Sequence, residues 1–211
     1  MLRLKDIEDE TNRLLADVPE GAGLDPLASV LIALAVRASV VALRPDEIAK
    51  AIADARAVGA STAQIQEIIN LVSGLGVHSL MVSATLVLNS DPAPPPIDSE
   101  REELWARYVR DDPYWKAFDA ELPGFLEALL RISPSAFRGF FDYCAIPWES
   151  RHVRAVTKEL AAMACDASPG HRFGPGFRLH LRNAVKLGAG KKAVLDSLKI
   201  AAATPEHIGV S

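Results

Sequence analysis

Apolar residues recur along this chain every three to four positions, which is the spacing of one face of an α-helix. No stretch shows the strict alternation of apolar and polar residues that indicates a half-buried strand. Many windows are rich in alanine, which is the strongest helix former. The pattern therefore predicts an all-α protein.

Prolines, glycines and capping residues divide this pattern into helices. Asp25 is the expected N-cap of a helix with Pro26 at its first position, and Ser61 forms a capping-box pair with Gln64. The predicted helical ranges are 1–20, 26–43, 46–58, 61–75, 78–88, 98–109, an aromatic-rich stretch at 113–131, 133–147, and two further helices that carry Glu159 and His180.

The second half of the chain repeats the first at one constant offset, without a gap. At this offset Leu31 falls on Leu160, and Gly59 falls on Gly188. Each glycine follows the middle helix of its copy. Glycine takes the left-handed conformation without a Cβ clash, so both glycines are expected to be helix C-caps.

The boundary between the two copies is predicted at residues 89–98. The sequence NSDPAPPP in this segment holds four prolines and cannot be helical. The predicted domains are therefore residues 1–88 and residues 99–211.

Composition and charge narrow the function. The chain has 211 residues, of which 49% are hydrophobic, a net charge of −4 and a pI of about 5.7. It has no basic run, so nucleic acid is not an expected partner. Its longest apolar run, 27–43, is interrupted by Arg37, and its charged N-terminal sequence is no signal peptide, so no membrane association is expected. Cys144 and Cys165 form no CxxC pair and fit core positions in a cytoplasmic protein.

Glu159 and His180 are the main candidates for chemistry. Each lies at the edge of the apolar stripe of its own helix, and burying both is costly unless they pair. Such a pair has shifted pKa values that suit general acid–base chemistry, although a hydrogen-bonded core histidine gives the same pattern. The solvated face of the second helix is predicted to hold Arg178, Arg182, Asn183 and Lys186.

The first copy lacks both candidates. Val30 stands at the position of Glu159, and Ala51 stands at that of His180. Because the scaffold is expected to fold without the pair in one copy, a functional role in the other is favoured.

The remaining histidines suggest no metal site, since neither HxxxH nor HxH occurs. His78 and His207 are predicted to end the third helix of each copy. A hydrogen-bond donor or cation is favourable there, which indicates a structural role.

The second copy contains residues in the order of a known motif: Lys158-Glu159-Leu160, His180, Ala184 and Gly188-Ala189. This order resembles the carboxymuconolactone decarboxylase / alkylhydroperoxidase AhpD-like superfamily, and the resemblance covers roughly residues 25–85 and 100–207. It implies an all-helical fold of two repeats related by a pseudo-twofold axis. It also implies a homo-oligomer, with a trimer expected before a hexamer.

The resemblance extends to two branches with different chemistry. The peroxidase branch carries a CxxC seven and four residues before the histidine, where this chain has Phe173 and Gly176. Reduction of peroxide by that branch requires thiols. The decarboxylase branch lacks these cysteines and acts on a lactone dicarboxylate without a cofactor.

The resemblance implies a role for each candidate residue. His180 is expected to be the general acid–base, and Glu159 to orient it or shuttle a proton. His171 is a second proton-transfer candidate in the turn between the two helices, and Arg172 is a candidate for binding a substrate carboxylate. Two residues are expected to line the pocket: Phe173, and Trp148 on a loop after Pro147.

Three functions remain open at this stage. The first is a cofactor-free acid–base enzyme that acts on a small carboxylated lactone or a related aromatic catabolite. The second is an AhpD-like peroxidase, which the missing thiols disfavour. The third is a non-catalytic helical oligomer that binds a small ligand.

Overall fold

The computed structural model describes residues 4–210. Within that range the chain forms α-helices and one 3-10 turn and contains no strand, so the all-α prediction is confirmed. The helices are α1 (Leu4–Leu14), α2 (Pro26–Ala38), α3 (Pro45–Ala57), α4 (Thr62–Ser73), α5 (His78–Ser90), α6 (Ser99–Tyr108), α7 (Pro113–Glu121), α8 (Phe125–Ile132), α9 (Pro134–Glu149), α10 (Ala155–Ala167), α11 (Gly174–Lys186) and α12 (Lys191–Ala202).

The chain divides into two compact units. The first unit comprises the residues up to Leu75 and those from Pro147 onward, and the second comprises Gly76–Ile146. The first unit therefore holds the three-helix set of each copy. The domain limits at 1–88 and 99–211 follow the sequence repeat rather than these contacts, and they stay a prediction.

Helix bounds in the first unit recur at the offset of the sequence repeat. The first and last residues of α2, α3 and α4 align with those of α10, α11 and α12. Gly59 and Gly188 both have positive φ, 90° and 95°, as expected for C-cap glycines. The left-handed residues Leu43 and Arg172, with φ of 42° and 49°, are related by the same offset.

Helix α10 lies at the centre of the first unit. It packs against α2, α4, α11 and α12, and every residue from Thr157 to Ala167 is buried. The helix therefore has no solvated side on which a charged residue could remain hydrated. Lys158, Glu159 and Asp166 must each find polar neighbours inside the protein.

Lys158 is held by Glu67 of α4. Lys158 Nζ donates to Glu67 Oε1 at 2.6 Å and to the Pro147 carbonyl at 2.7 Å, and it lies 4.9 Å from the centre of the Trp148 ring. The two charged side chains are only 2% and 1% exposed. This buried ion pair joins a helix of the first copy to the helix that carries Glu159.

Glu67 also fixes the segment that leads into α10. Its carboxylate accepts hydrogen bonds from Ser150 Oγ and from the backbone N–H groups of His152 and Val153. Burial raises the pKa of Glu67, but the hydrogen bonds of Lys158, Ser150 and His152 lower it further than burial raises it. The carboxylate is therefore the stable form.

The second unit is built around aromatic side chains. Trp115 and Phe141 lie 4.6 Å apart, and Tyr108 and Phe141 lie 5.0 Å apart, measured between ring centres. α5 packs against α8 in the same unit. The apolar side chains of Val82, Leu86 and Val87 on α5 are exposed.

Several helices end elsewhere than predicted. α2 stops at Ala38 rather than Leu43, because Ser39 is extended and its hydroxyl donates to the Val36 carbonyl. The helix predicted within 1–20 ends at Leu14. α9 continues through Pro147 to Glu149, since a proline costs little when only the last residues of the helix follow it.

The prediction that His78 and His207 end the third helices was wrong. Those helices end at Ser73 and Ala202, and His78 instead opens α5. His207 lies beyond α12, with its Nδ1 3.1 Å from the Ala42 carbonyl. The sequence spacing correctly placed each histidine after the third helix began, but it could not show that the helix ends before the histidine is reached.

One helical stretch, Thr62–Ser90, is long and apolar enough by length and composition to cross a membrane, and 22% of its apolar window is buried. It comprises α4, the 3-10 turn and α5. It also contains Glu67, whose ion pair with Lys158 belongs to a protein core, whereas a charged group facing lipid is costly. Composition is therefore weak evidence for a span here.

Replacing Lys158 with methionine should lower the free energy of unfolding by about 3–5 kcal/mol, because the Glu67 charge stays buried without its cation. Urea denaturation at neutral pH measures this loss. The matched control is Lys50→Met on the exposed side of α3, which should change stability by less than about 0.5 kcal/mol. Similar losses in the two variants would contradict the proposed importance of the ion pair.

Candidate active site

Glu159 and His180 meet across the interface of α10 and α11. His180 Nδ1 donates to Glu159 Oε2 at 2.7 Å, and the side chains are 17% and 6% exposed. Asn183 Nδ2 donates to the other carboxylate oxygen of Glu159 at 3.3 Å. The predicted contact is present, and both oxygens of the buried carboxylate have donors.

Two opposing effects set the charge of His180. Burial lowers its pKa, but the hydrogen bond to Glu159 and the negative charges of Glu159 and Asp166 raise it more. The net pKa lies above the ordinary histidine value. The raised pKa favours the protonated form of His180 beside Glu159, which suits general acid–base chemistry.

The turn that joins α10 to α11 places further polar groups beside this pair. Ser168 ends α10, and Arg172 takes a left-handed conformation with φ of 49°. The Phe173 N–H then donates back to the Asp166 carbonyl at 2.9 Å. The chain reverses direction within these residues, so that α11 returns antiparallel to α10.

His171, predicted in this turn, lies next to a carboxyl group. Its Nε2 is 3.6 Å from Asp166 Oδ1, and its side chain is 15% exposed whereas that of Asp166 is fully buried. Burial lowers the pKa of His171. Burial raises the pKa of Asp166 to about 7, although the charge of His180 acts in the opposite direction. His171 is therefore mostly neutral at pH 7, and Asp166 is divided between its two forms.

Gly176 makes room for the Asp166 carboxyl group. A Cβ at position 176 would overlap Asp166 Oδ2. In the first copy the corresponding positions hold Arg37 and Glu47, whose Nε and Oε2 atoms are 3.2 Å apart. Where the first copy has an ion pair, the second copy thus has a buried carboxyl group over a glycine.

Arg172 and Phe173 complete the turn between α10 and α11. Both side chains are half-buried. Among residues 4–210, Arg172 Nε is buried without a hydrogen-bond partner. A cleft of about 520 Å³ opens against Pro169 and Gly170 of the same turn, and its other wall is formed by Val41 and residues 204–207.

Trp148 does not lie where it was predicted. It belongs to the last turn of α9 rather than to a loop, and its ring packs under Lys158 Nζ. Its position is explained by the Glu67–Lys158 ion pair.

Comparison with solved structures relates this fold to a known one. The structure resembles a protein from Burkholderia xenovorans that is provisionally described as a gamma-carboxymuconolactone decarboxylase subunit. The TM-score is 0.72, the sequences are 25% identical, and the match covers 95% of this chain and 90% of the other. No model of a protein family and no curated protein matches the sequence.

The fold of this chain is therefore consistent with the carboxymuconolactone decarboxylase and AhpD-like superfamily, as the motif resemblance implied.

The cysteines do not provide the thiol chemistry of the peroxidase branch of this superfamily. Burial raises the pKa of the Cys144 thiol to about 11. Burial and the neighbouring charge of Asp166 raise the pKa of Cys165 well above its ordinary value. Both thiols are therefore protonated at neutral pH, and a thiol is a poor nucleophile compared with a thiolate.

Sequence reasoning missed two polar residues of this candidate site. Asn183 was assigned to the solvated face of α11, but it lies one turn from His180 and binds Glu159. Asp166 was not considered, although it follows Glu159 by seven positions and therefore lies on the same face of α10. The spacing of two acidic residues on one face of an otherwise apolar helix was the sequence signal that could have identified Asp166.

Asp166→Asn should change how stability depends on pH. The pKa of Asp166 is raised in the folded protein, so its favourable contribution is complete below its unfolded value of about 4 and is lost as pH rises through about 7. The variant should therefore gain stability relative to the wild type between pH 5 and pH 8.5, by roughly 2–4 kcal/mol.

Urea denaturation at the two pH values measures this gain. Asp54→Asn on the exposed side of α3 is the control for the same chemical change. A wild type and Asp166→Asn variant with parallel pH profiles would show that Asp166 ionises normally.

Proposed function

We propose that this protein is a cofactor-free acid–base enzyme that resembles carboxymuconolactone decarboxylase and acts on a small carboxylated lactone or a related aromatic catabolite. The observation that carries the proposal is the buried hydrogen bond between Glu159 and His180, at positions that are apolar in the first copy. The fold and the name of the solved relative support the same reaction class.

His180 supplies the proton in this reaction. When the bond between a substrate carbon and its carboxylate breaks, CO2 leaves and the electron pair stays behind as an enolate. The N–H bond of the imidazolium then breaks and a C–H bond forms at the enolate carbon. Glu159 stabilises the imidazolium before transfer and accepts the hydrogen bond that fixes the ring orientation.

The turn between α10 and α11 binds the substrate in this proposal. Arg172 offers a guanidinium group to a carboxylate, and its buried Nε has an unused donor among the described residues. Phe173 provides an apolar surface, and His171 is a second group for proton transfer. The adjacent cleft of about 520 Å³ is within the size range of small-molecule sites.

A non-catalytic helical scaffold explains less of the structure. The scaffold role needs the fold but not the polar residues at 159, 166, 171 and 180. In the first copy Val30, Ala42 and Ala51 stand at three of these positions, and the helices have the same bounds. The polar set is thus additional to what the fold requires.

The protein is proposed to work as a cytoplasmic homo-oligomer, with a trimer as the first expectation and a hexamer as the second. Val82, Leu86 and Val87 on α5 are 53%, 65% and 52% exposed. Exposed apolar side chains grouped on one helix are typical of protein–protein contact.

His180→Gln should abolish turnover while the protein stays folded. Loss of the proton donor is expected to reduce CO2 release and carbon-acid proton exchange by at least about 100-fold. The assay uses a panel of small carboxylated lactones and β-keto acids. Glutamine can still donate to Glu159, so the carboxylate keeps a partner.

His152→Gln is the control, since the side chain of His152 is exposed in the segment before α10. It should retain wild-type turnover. Turnover in the folded His180→Gln variant equal to the wild type would remove His180 from the mechanism. No turnover by the wild type on any substrate would favour the ligand-binding scaffold.

Leu86→Glu should weaken the oligomer, because it places a charge in the apolar surface of α5. Light scattering after size-exclusion chromatography measures the native mass over a range of protein concentrations. Glu100→Gln on the exposed part of α6 is the control and should keep the wild-type mass. A monomeric wild type would refute the proposal of an oligomer.

A further inference from the structure

The residues at the α10–α11 interface include a carboxyl group that the reaction described above does not use. Asp166 is fully buried, whereas aspartate is seldom fully buried in proteins unless it is paired. The corresponding residue of the first copy, Arg37, lies in an ion pair with Glu47. The second copy therefore carries a fully buried carboxyl group at a position where the first copy has an arginine in a partly exposed ion pair.

The position of Asp166 along α10 relates it to His180. α10 and α11 are antiparallel, Glu159 lies opposite His180, and Asp166 lies opposite Gly176. Gly176 precedes His180 by four positions, which is about one helical turn. Glu159 and Asp166, on one face of α10, thus both approach the helix that carries the imidazole.

We propose that Asp166 is a positioning residue of the Glu159–His180 site, which acts through His180 by placing a second carboxyl group one helical turn from the imidazole, beside Gly176. This role extends the proposed function and rests on it, because Asp166 contributes to catalysis only if His180 is the acid–base group. The charge of Asp166 stabilises the imidazolium, so that His180 keeps its proton to higher pH than Glu159 alone would allow.

His171 Nε2 in the connecting turn lies 3.6 Å from Asp166 Oδ1, and several other charged groups of this unit form ion pairs with one another. The ion pairs on neighbouring helices are Arg37–Glu47 beside α2, Glu67–Lys158 on α4 and α10, Asp196–Lys199 on α12, and Arg178 with Glu10 of α1. His171 and Arg172 lie in the connecting turn. The charges that act on His180 are those of Glu159 and Asp166. Asp166 is therefore the natural residue to vary.

The burial of Asp166 also changes the pH at which its carboxyl group loses a proton. Its carboxyl group is fully buried, and its pKa is raised to about 7 by that burial. The charge of Asp166 raises the pKa of His180, and the charge of His180 acts against the rise in the pKa of Asp166, so the two titrations influence each other. Two groups coupled in this way lose their protons in two steps that belong to the pair.

Nuclear magnetic resonance titration of the histidine side chains tests the proposal on the intact protein. The His180 signal is identified by its absence in His180→Gln. In the wild type it should show two inflections. In Asp166→Asn it should show one, with a midpoint lower by roughly half to one pH unit because a nearby negative charge has been removed.

Two further variants keep the test decisive. Asp166→Ser removes the charge with a smaller side chain and should give the same single inflection, if the asparagine variant fails to fold. Gly176→Ala should also alter the His180 curve, because the new Cβ displaces the Asp166 carboxyl group. Gly139→Ala, where a Cβ meets open space in helix α9, is its control.

Asp54→Asn controls for the loss of a distant negative charge and should leave the His180 curve unchanged. A His180 curve in folded Asp166→Asn or Asp166→Ser that matches the wild type would overturn the proposal. The readout needs no substrate, so the two proposals fail separately. A changed titration without turnover in any assay supports the role of Asp166 and refutes the enzyme, whereas turnover with an unchanged titration does the reverse.

Discussion

The enclosure of α10 is the constraint on which the rest of the first unit depends. Every residue from Thr157 to Ala167 is buried, yet the helix carries Lys158, Glu159 and Asp166. A charge in such a place is stable only with partners supplied by neighbouring helices. Glu67 on α4 and His180 on α11 meet this requirement for the first two, and Asp166 meets it partly by holding a proton. The polar contacts around Lys158, Glu159 and Asp166 thus follow from the burial of α10.

The two adjacent residues Lys158 and Glu159 point to different copies. They are about 100° apart on the helix, so Lys158 reaches α4 of the first copy while Glu159 reaches α11 of the second. The first copy has no acid–base pair at the equivalent positions, but it supplies Glu67, which fixes the first turn of α10. A Glu159 carboxylate held at 2.7 Å from an imidazole nitrogen needs such a fixed helix. The first copy therefore helps to hold in place the helix that carries Glu159.

The sequence carried enough information for the helices and for the Glu159–His180 contact, because helical periodicity places each of these residues at the edge of an apolar stripe. It did not show that α10 is buried on all sides, since the helical wheel assumes one apolar face and one solvated face. Under that assumption Asp166 was overlooked as a site residue, and Asn183 was predicted to face solvent. The same limitation placed Trp148 on a loop, because the effect of Pro147 depends on how much helix follows it. Tertiary packing, which no local pattern encodes, decided all three.

Asp166 and Gly176 mark a place where the proposed acid–base site differs from the thiol site of the peroxidase branch. Position 176 is where the peroxidase branch of the superfamily carries a cysteine, as the motif resemblance implies. A Cβ at 176 would overlap the Asp166 carboxyl group in its present position, so a cysteine there would displace that group. A thiol at 176 would therefore require the Asp166 side chain to move. The glycine at 176 thus leaves room for a buried carboxyl group whose pKa is about 7.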